Sequence, residues 1–297
     1  MELNLNPPNP QRISVSPPGR GWRARPEVTV NTDYVRTLLE QSRLTERDET
    51  LLKWLDELPV LSSRQIKRLF WPDTSVSNMH RRLRALYDYH LLDRVRMLNK
   101  TEGITYTLGK AGRLWLYGEQ RGGNPPRINL NQLAHDLTIA EVAMLFVEDL
   151  RLLNHSEQRI SLNWVGEKKA RIVHRDKVII EPDSRVCITV NGEGSQLFFI
   201  EIDRGAERAA AFSAKIRRYH EANKEPGLKG ETDQNPIIMV VTNTPERVQK
   251  LAELIASSNN HLVWALQYLD NLKENGIYHK QRWTMVKKDK ILSRSFQ

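Results

Sequence analysis

Two acidic clusters fall on consecutive predicted strands. Glu181, Pro182 and Asp183 lie in KVIIEPDSRVCITV, and Glu201 and Asp203 in the next stretch, SQLFFIEIDRG. Carboxylates inside apolar strands are costly to desolvate unless a partner offsets the loss of water. A divalent metal is one such partner. Alternation along LFFIEID sets Phe199, Glu201 and Asp203 on one face, and Phe198, Ile200 and Ile202 on the other. Asp183, just after Pro182 at the start of the preceding strand, can reach the same point. Three converging carboxylates suit Mg2+ or Mn2+, which keep waters available as nucleophiles. In-line attack on a phosphodiester then needs a charge stabiliser. Lys215 and Tyr219 lie four residues apart on one face of the helix that follows, so Lys215 can steady developing charge and Tyr219 can orient a phosphate. A plainer reading stands beside each residue. Asp183 suits a turn after proline. Glu201 and Asp203 suit a wet strand face or pairing with Arg204 and Arg208, and Lys215 and Tyr219 a solvated helix face.

These residues need a sheet and helices to hold them. The stretch 131–153, NQLAHDLTIAEVAMLFVEDLRLL, predicts one long helix with a wide apolar face. RISLNWVG, VCITV and LFFIEID predict strands, AERAAAFSAKIRRYHEAN a helix, and NPIIMVVTN a strand buried on both faces. TPERVQKLAELIASS predicts a helix with Thr244 as N-cap and Pro245 at its first position. HLVWALQYL is expected as the last strand, and the basic stretch from Asp270 as a peripheral tail. The order α-β-β-β-α-β describes an α/β sheet flanked by helices, placed at 131–270 with the tail at 271–297.

The first half has a different pattern. TERDETLLKWLDELPVLS predicts an amphipathic helix with Leu51, Leu52, Leu55 and Leu58 inward, and Thr45 with Asp48 as a capping-box-like start. SSRQIKRLF predicts a second helix, stopped by Pro72, and VSNMHRRLRALYDYHLL a third, capped by Ser75 or Ser77 with Met79, Leu83 and Leu86 inward. LLDRVRML and ITYTLG predict two short strands around the polar tip LNKTEG, before a closing helix, KAGRLWLYGE. Three helices and a β-wing make a winged helix-turn-helix, a domain of 31–118 whose third helix enters the DNA major groove. Asn78, His80, Arg81, Arg82 and Arg84 are expected on that helix's outer face, flanked by Lys67, Arg68 and Lys100. Arg and Asn contact base edges, and Arg and Lys also grip phosphates. Winged helices also dock proteins, so protein recruitment is the competing role. The Pro-rich residues 1–30, with Arg20, Arg23 and Arg25 around Trp22, predict a basic arm or a disordered leader. The Gly-Gly and Pro-Pro of 119–130 predict a linker.

Charge follows the same division. Residues 1–127 hold 21 Lys and Arg against 14 Asp and Glu, whereas 128–297 hold 24 against 22, within a chain of net charge +9. The basic half is the nucleic-acid candidate, with double-stranded DNA as the expected partner. No apolar run approaches the roughly 18 residues of a membrane helix. No signal-peptide pattern is present and Cys187 is the lone cysteine, so a cytoplasmic protein is expected. The sequence lacks a phosphate-binding Gly-Lys loop, a Gly-x-Ser-x-Gly elbow, a His-x-His pair and the cysteines of a zinc site.

Residues 178–219, with Pro182-Asp183, Glu201-Ile202-Asp203 and Lys215-x-x-x-Tyr219, resemble the PD-(D/E)xK nuclease superfamily. The resemblance implies a restriction-endonuclease-like α/β fold. Where the superfamily pattern has lysine, two positions after Glu201, this chain has Asp203, and Lys215 would replace that lysine from the helix. His135 and Glu141 on the long helix become further ligand candidates, His135 for metal, because some branches place a His or Glu there. Over roughly residues 45–245 the chain resembles the replication-relaxation family of plasmids and mobile elements. Leu133, His135, Asp136 and Leu137, then Glu181–Asp183, Phe198–Gly205, Lys215 and Tyr219 carry that resemblance. It implies DNA binding linked to replication and DNA relaxation, with other replication or transfer proteins as further expected partners. Three roles remain open: a binding protein with a degenerate nuclease-like domain, an active Mg2+-dependent nickase, and a transcriptional regulator or recruitment module. Oligomers are compatible with each.

Overall fold

A computed structural model describes residues 25–95, 104–119, 129, 132–153, 159–192, 194–205, 207–224, 228, 235–258, 261–278 and 283–294. Arg20, Trp22, Arg23, the tip LNKTEG with Lys100, and residues 120–128 of the expected linker lie outside the described residues. The chain divides into two compact units, with the boundary between Ala140 and Glu141.

In the N-terminal unit the helices are α1 (Thr32–Glu40), α2 (Glu46–Glu57), α3 (Ser63–Phe70), α4 (Val76–Asp88) and α5 (Lys110–Tyr117). The strands are β1 (Leu61–Ser62), β2 (Leu92–Val95) and β3 (Thr105–Leu108), antiparallel in the order β1-β3-β2. The caps explain where the helices start. Thr45 and Asp48 form a reciprocal capping box on α2, Ser62 and Gln65 another on α3, and Ser75 caps α4. Leu51, Leu52, Leu55, Leu58, Met79, Leu83 and Leu86 are all buried, as their spacing predicts. Each contributes about 2 kcal/mol by leaving water. Helix α1 was not anticipated. Asn31 caps it, and Val35 and Leu38 are its buried face.

Helix α6 (Leu133–Leu153) spans the unit boundary. Beyond it the C-terminal unit runs β4 (Ile160–Gly166), α7 (Glu167–Ala170), β5 (Ile172–His174), β6 (Lys177–Ile180), β7 (Ser184–Val190), β8 (Gly194–Asp203) and α8 (Ala209–Ala222). It continues with β9 (Ile237–Thr242), α9 (Pro245–Ala256), β10 (Val263–Tyr268), α10 (Leu269–Asn275), β11 (Trp283–Lys287) and β12 (Lys290–Arg294). Among the described residues, seven strands form one mixed sheet, β12-β11-β10-β9-β8-β7-β4, and β5 pairs with β6 in a separate hairpin. β9 lies parallel to both β8 and β10; the other pairings are antiparallel. Phe146 of α6 meets Trp164, Phe198 and Tyr278 in one aromatic cluster. Phe212, Ile216 and Tyr219 of α8 join Val248, Leu251 and Ile255 of α9 in a second core with Phe199, Val240 and Trp264. This cover explains why β9 reads as an unbroken apolar run.

Two expectations are corrected. The acidic cluster Glu181–Asp183 is not inside a strand: β6 ends at Ile180 and β7 begins at Ser184, with Pro182 between. Nor is β10 the last strand. β11 pairs with it antiparallel and β12 follows, and Trp283 and Val286 are completely buried. A latch fixes this addition to the long helix. The buried carboxylate of Asp149 on α6 accepts the backbone N–H groups of Ile277 and Tyr278, the latter at 2.9 Å. Gly276 makes the turn at φ +74°, and a Cβ there would meet Asp149 Oδ1 at 2.6 Å. Among the described residues, no helix is long and apolar enough to cross a membrane.

Candidate functional site

β8 and α8 bring four of the five expected chemical residues together. Glu201 is 2 % exposed, beneath α8. Lys215 Nζ donates to its Oε2 at 2.7 Å, and the Tyr219 hydroxyl to its Oε1 at 2.6 Å. The i, i+4 spacing of the helix sets both donors over one carboxylate. Lys215 Nζ also stands 3.4 Å from Glu207 Oε2. Asp183 is held against the same strand: its N–H donates to the Ile200 carbonyl at 3.0 Å, and its Oδ2 accepts from the Ile202 N–H at 2.7 Å. Its negative charge reaches Glu201, Lys215 and Tyr219.

Burial dominates the electrostatics of Glu201. It pushes the carboxyl up to about 7, against the pull of the Lys215 ammonium, and Asp183 pushes the same way as burial. Lys215 is raised: burial alone would lower it, and Glu201, Glu207 and Asp183 together outweigh that. Tyr219 is raised well above its ordinary value by burial and then by Glu201, so it stays a donor.

Asp203 takes another partner. The Arg247 guanidinium of α9 donates to its Oδ2 at 3.2 Å through Nε and at 2.6 Å through a terminal nitrogen. The Gly205 N–H donates to Oδ1 at 2.6 Å. Arg247 also donates to the Glu207 carbonyl at 2.7 Å, so Glu207 touches both pairs. Arg204 and Arg208 flank Asp203 in sequence, but Arg247, 44 residues further on, makes this bond. Only its place in the first turn of α9, after the Thr244 cap, hinted at this role.

These bonds decide how a metal would fare. Mg2+ and Mn2+ need several oxygens converging with lone pairs to offer. Both Glu201 oxygens, both Asp203 oxygens and Asp183 Oδ2 accept protein donors instead. Among the described residues, no group of three His, Cys, Asp or Glu side chains could hold a metal ion. In this arrangement the carboxylates of the expected ligand set, Asp183, Glu201 and Asp203, are all bonded within the protein. His135, placed 3.7 Å from Asp136, belongs to the N-terminal unit, whereas the carboxylates belong to the C-terminal one.

The N-terminal residues also sort by direction. On α4, Asn78 and Arg81 are exposed and bonded to one another. Arg82 turns inward, its Nε 3.0 Å from Oδ1 of the completely buried Asp48 and a terminal nitrogen 2.7 Å from the Arg43 carbonyl. Arg84 pairs with Asp88 at 3.0 Å. His80 is partly buried and its pKa is lowered, first by burial and then by the charge of Arg94. Lys67 donates to the Pro72 carbonyl at 2.7 Å, and Arg68 is partly buried. Outward placement on α4 therefore holds for Asn78 and Arg81 but not for Arg82. A cluster at Tyr87 carries no signal in the sequence: the guanidinium carbons of Arg25, Arg84 and Arg94 stand 4.5, 5.5 and 4.3 Å from the ring centre. Arg25 belongs here, bonded to Asp93 and to the Leu92 carbonyl at 3.3 Å.

No curated protein and no solved structure matches the chain. The replication-relaxation family model matches residues 52–234, more than half of the sequence, from α2 of the N-terminal unit to beyond the Glu201–Lys215–Tyr219 cluster. The chain belongs to the replication-relaxation family.

Proposed function

We propose that this is a DNA-binding protein of a plasmid or other mobile element, acting in replication or DNA relaxation. It docks on double-stranded DNA through the N-terminal unit, used as a winged helix. One observation carries this reading: Asn78 and Arg81 project to solvent near the capped start of α4, in a unit of short helices packed with a three-stranded antiparallel sheet. That is the end of a recognition helix that meets base edges. The C-terminal unit is a mixed sheet flanked by helices, and its carboxylates are engaged by Lys215, Tyr219, Arg247 and backbone N–H groups. In this reading it is a scaffold that retains a nuclease-like fold, and other replication or transfer proteins are its proposed partners.

Titration of the full chain with labelled duplex DNA tests the docking. Arg81→Ala should weaken binding and lower the slope of log affinity against log salt by about 1. Arg82→Ala should instead lower thermal stability, because it leaves Asp48 buried without its guanidinium. Binding untouched by Arg81→Ala would move the interface off α4. Supercoiled plasmid incubated with Mg2+ or Mn2+ should stay closed. Opening that disappears in both Asp183→Ala and Glu201→Ala would make the C-terminal unit a nuclease instead.

A further inference from the structure

The hairpin β5–β6 is anchored on one face only. Ile172 and Ile180 enter the core with Phe212 and Ile216, whereas Val173 and Val178, directly paired across the strands, are 56 % and 48 % exposed. Cations neighbour this apolar pair in the sequence: Arg175 and Lys177 at the tip and Lys168 and Lys169 on the preceding α7 are all exposed. Between Glu167 at the start of α7 and Val178, the one carboxylate is that of Asp176.

The turn itself is unusual. Arg175 and Asp176 both have positive φ, +48° and +62°. Two-residue hairpin turns of this kind favour Asn and Gly, since other L side chains adopt the conformation at a steric cost. A long cation held at such a tip is costly for folding, and Arg175 has no ion pair among the described residues to compensate. Observed strain of this sort points to use at the surface. A two-stranded ribbon fits the major groove, where valine can meet thymine methyl groups and flanking cations can meet phosphates.

We propose that the β5–β6 hairpin is a second contact with duplex DNA, with Arg175 and Lys177 on phosphates and the Val173–Val178 pair against base edges in the major groove. The proposal rests on the reading of the protein as a duplex-DNA binder, and adds a contact on the C-terminal unit to the one on α4.

The two kinds of contact leave different signatures in a salt titration of the full chain with labelled mixed-sequence duplex. Arg175→Gly should lower affinity and reduce the log–log salt slope by about 1, while melting at the same or a higher temperature because glycine relieves the turn. Val173→Ser combined with Val178→Ser should lower affinity with the slope unchanged, since no counterion release is lost. Unaltered affinity and slope in both variants, with Arg81→Ala still weakening binding, would overturn the hairpin contact and leave the α4 contact standing. Wild-type protein that fails to bind duplex would overturn both. Hairpin-dependent binding to vesicles containing phosphatidylserine, alongside hairpin-independent DNA binding, would assign the ribbon to a lipid surface and overturn the proposal.

Discussion

Glu201 holds its buried carboxyl between an ammonium and a phenol, so its ionisation is linked to folding. The folded-state pKa of about 7 lies above the ordinary 4.5, so the folded protein binds this proton more tightly than the unfolded chain. The stabilisation from this proton is complete below about 4.5 and is lost as pH rises through 7. Glu201→Gln mimics the protonated form and should therefore gain stability relative to wild type between pH 5 and pH 7.5 in paired urea melts. A gain by wild type instead would mean that Lys215 attraction outweighs burial. The Asp203–Arg247 pair predicts a different outcome. Asp203 is 3 % exposed, so Arg247→Met strands a buried charge and should cost about 3–5 kcal/mol. Combining it with Asp203→Asn should recover much of that loss. Residue types were legible here, but residue directions were not. The i, i+4 spacing put Lys215 and Tyr219 on one helix face, but that this face lies over Glu201 is seen only in the fold. The partner of Asp203 depended on a helix more than forty residues away, and Arg82 looked identical to Arg81 until Asp48 was seen behind it.

Elements that announce themselves carry either a cap or a strong period. Thr45, Ser62 and Thr244 mark helix starts by chemistry, and LFFIEID and IIMVV mark strands by apolar content. The missed elements lack those signals. The turn between β5 and β6 is Arg-Asp, without the Gly or Asn that mark hairpins, and its exposed valines blur the alternation. β12 is exposed at every residue and rich in cations, so its sequence reads as a tail. It forms because β11 beside it is anchored by Trp283, whose ring N–H donates to the Ile277 carbonyl at 3.1 Å. Gly276 controls this junction after α10. Gly276→Ala must adopt a left-handed backbone and press on Asp149, which should cost at least about 1–2 kcal/mol. Thermal melts of the single variant and of Gly276→Ala with Asp149→Ala check this, and the second change should relieve the contact without restoring the N–H acceptor.

At the scale of the molecule, two compact units divide the charge, with the larger cationic excess in the residues before 128. Helix α6, strands β4, β7, β8 and β9 and helix α8 were legible because each has its own pattern, whereas α7, β5 and β6, inserted between β4 and β7, were not. The extent of the sheet was not, since strands β11 and β12 draw their stability from β10 rather than from their own sequence. Removing residues 279–297 should therefore unfold the C-terminal unit rather than trim a tail, because β10 becomes an edge and Trp283 and Val286 leave the core. Retention of a cooperative, full-amplitude unfolding transition would contradict this. The Asp149–Gly276 latch also has a consequence in the family's history. Two positions 127 residues apart share one small volume, so they cannot drift independently. Across relatives they should covary, with any side chain at the position of Gly276 accompanied by a smaller residue at the position of Asp149.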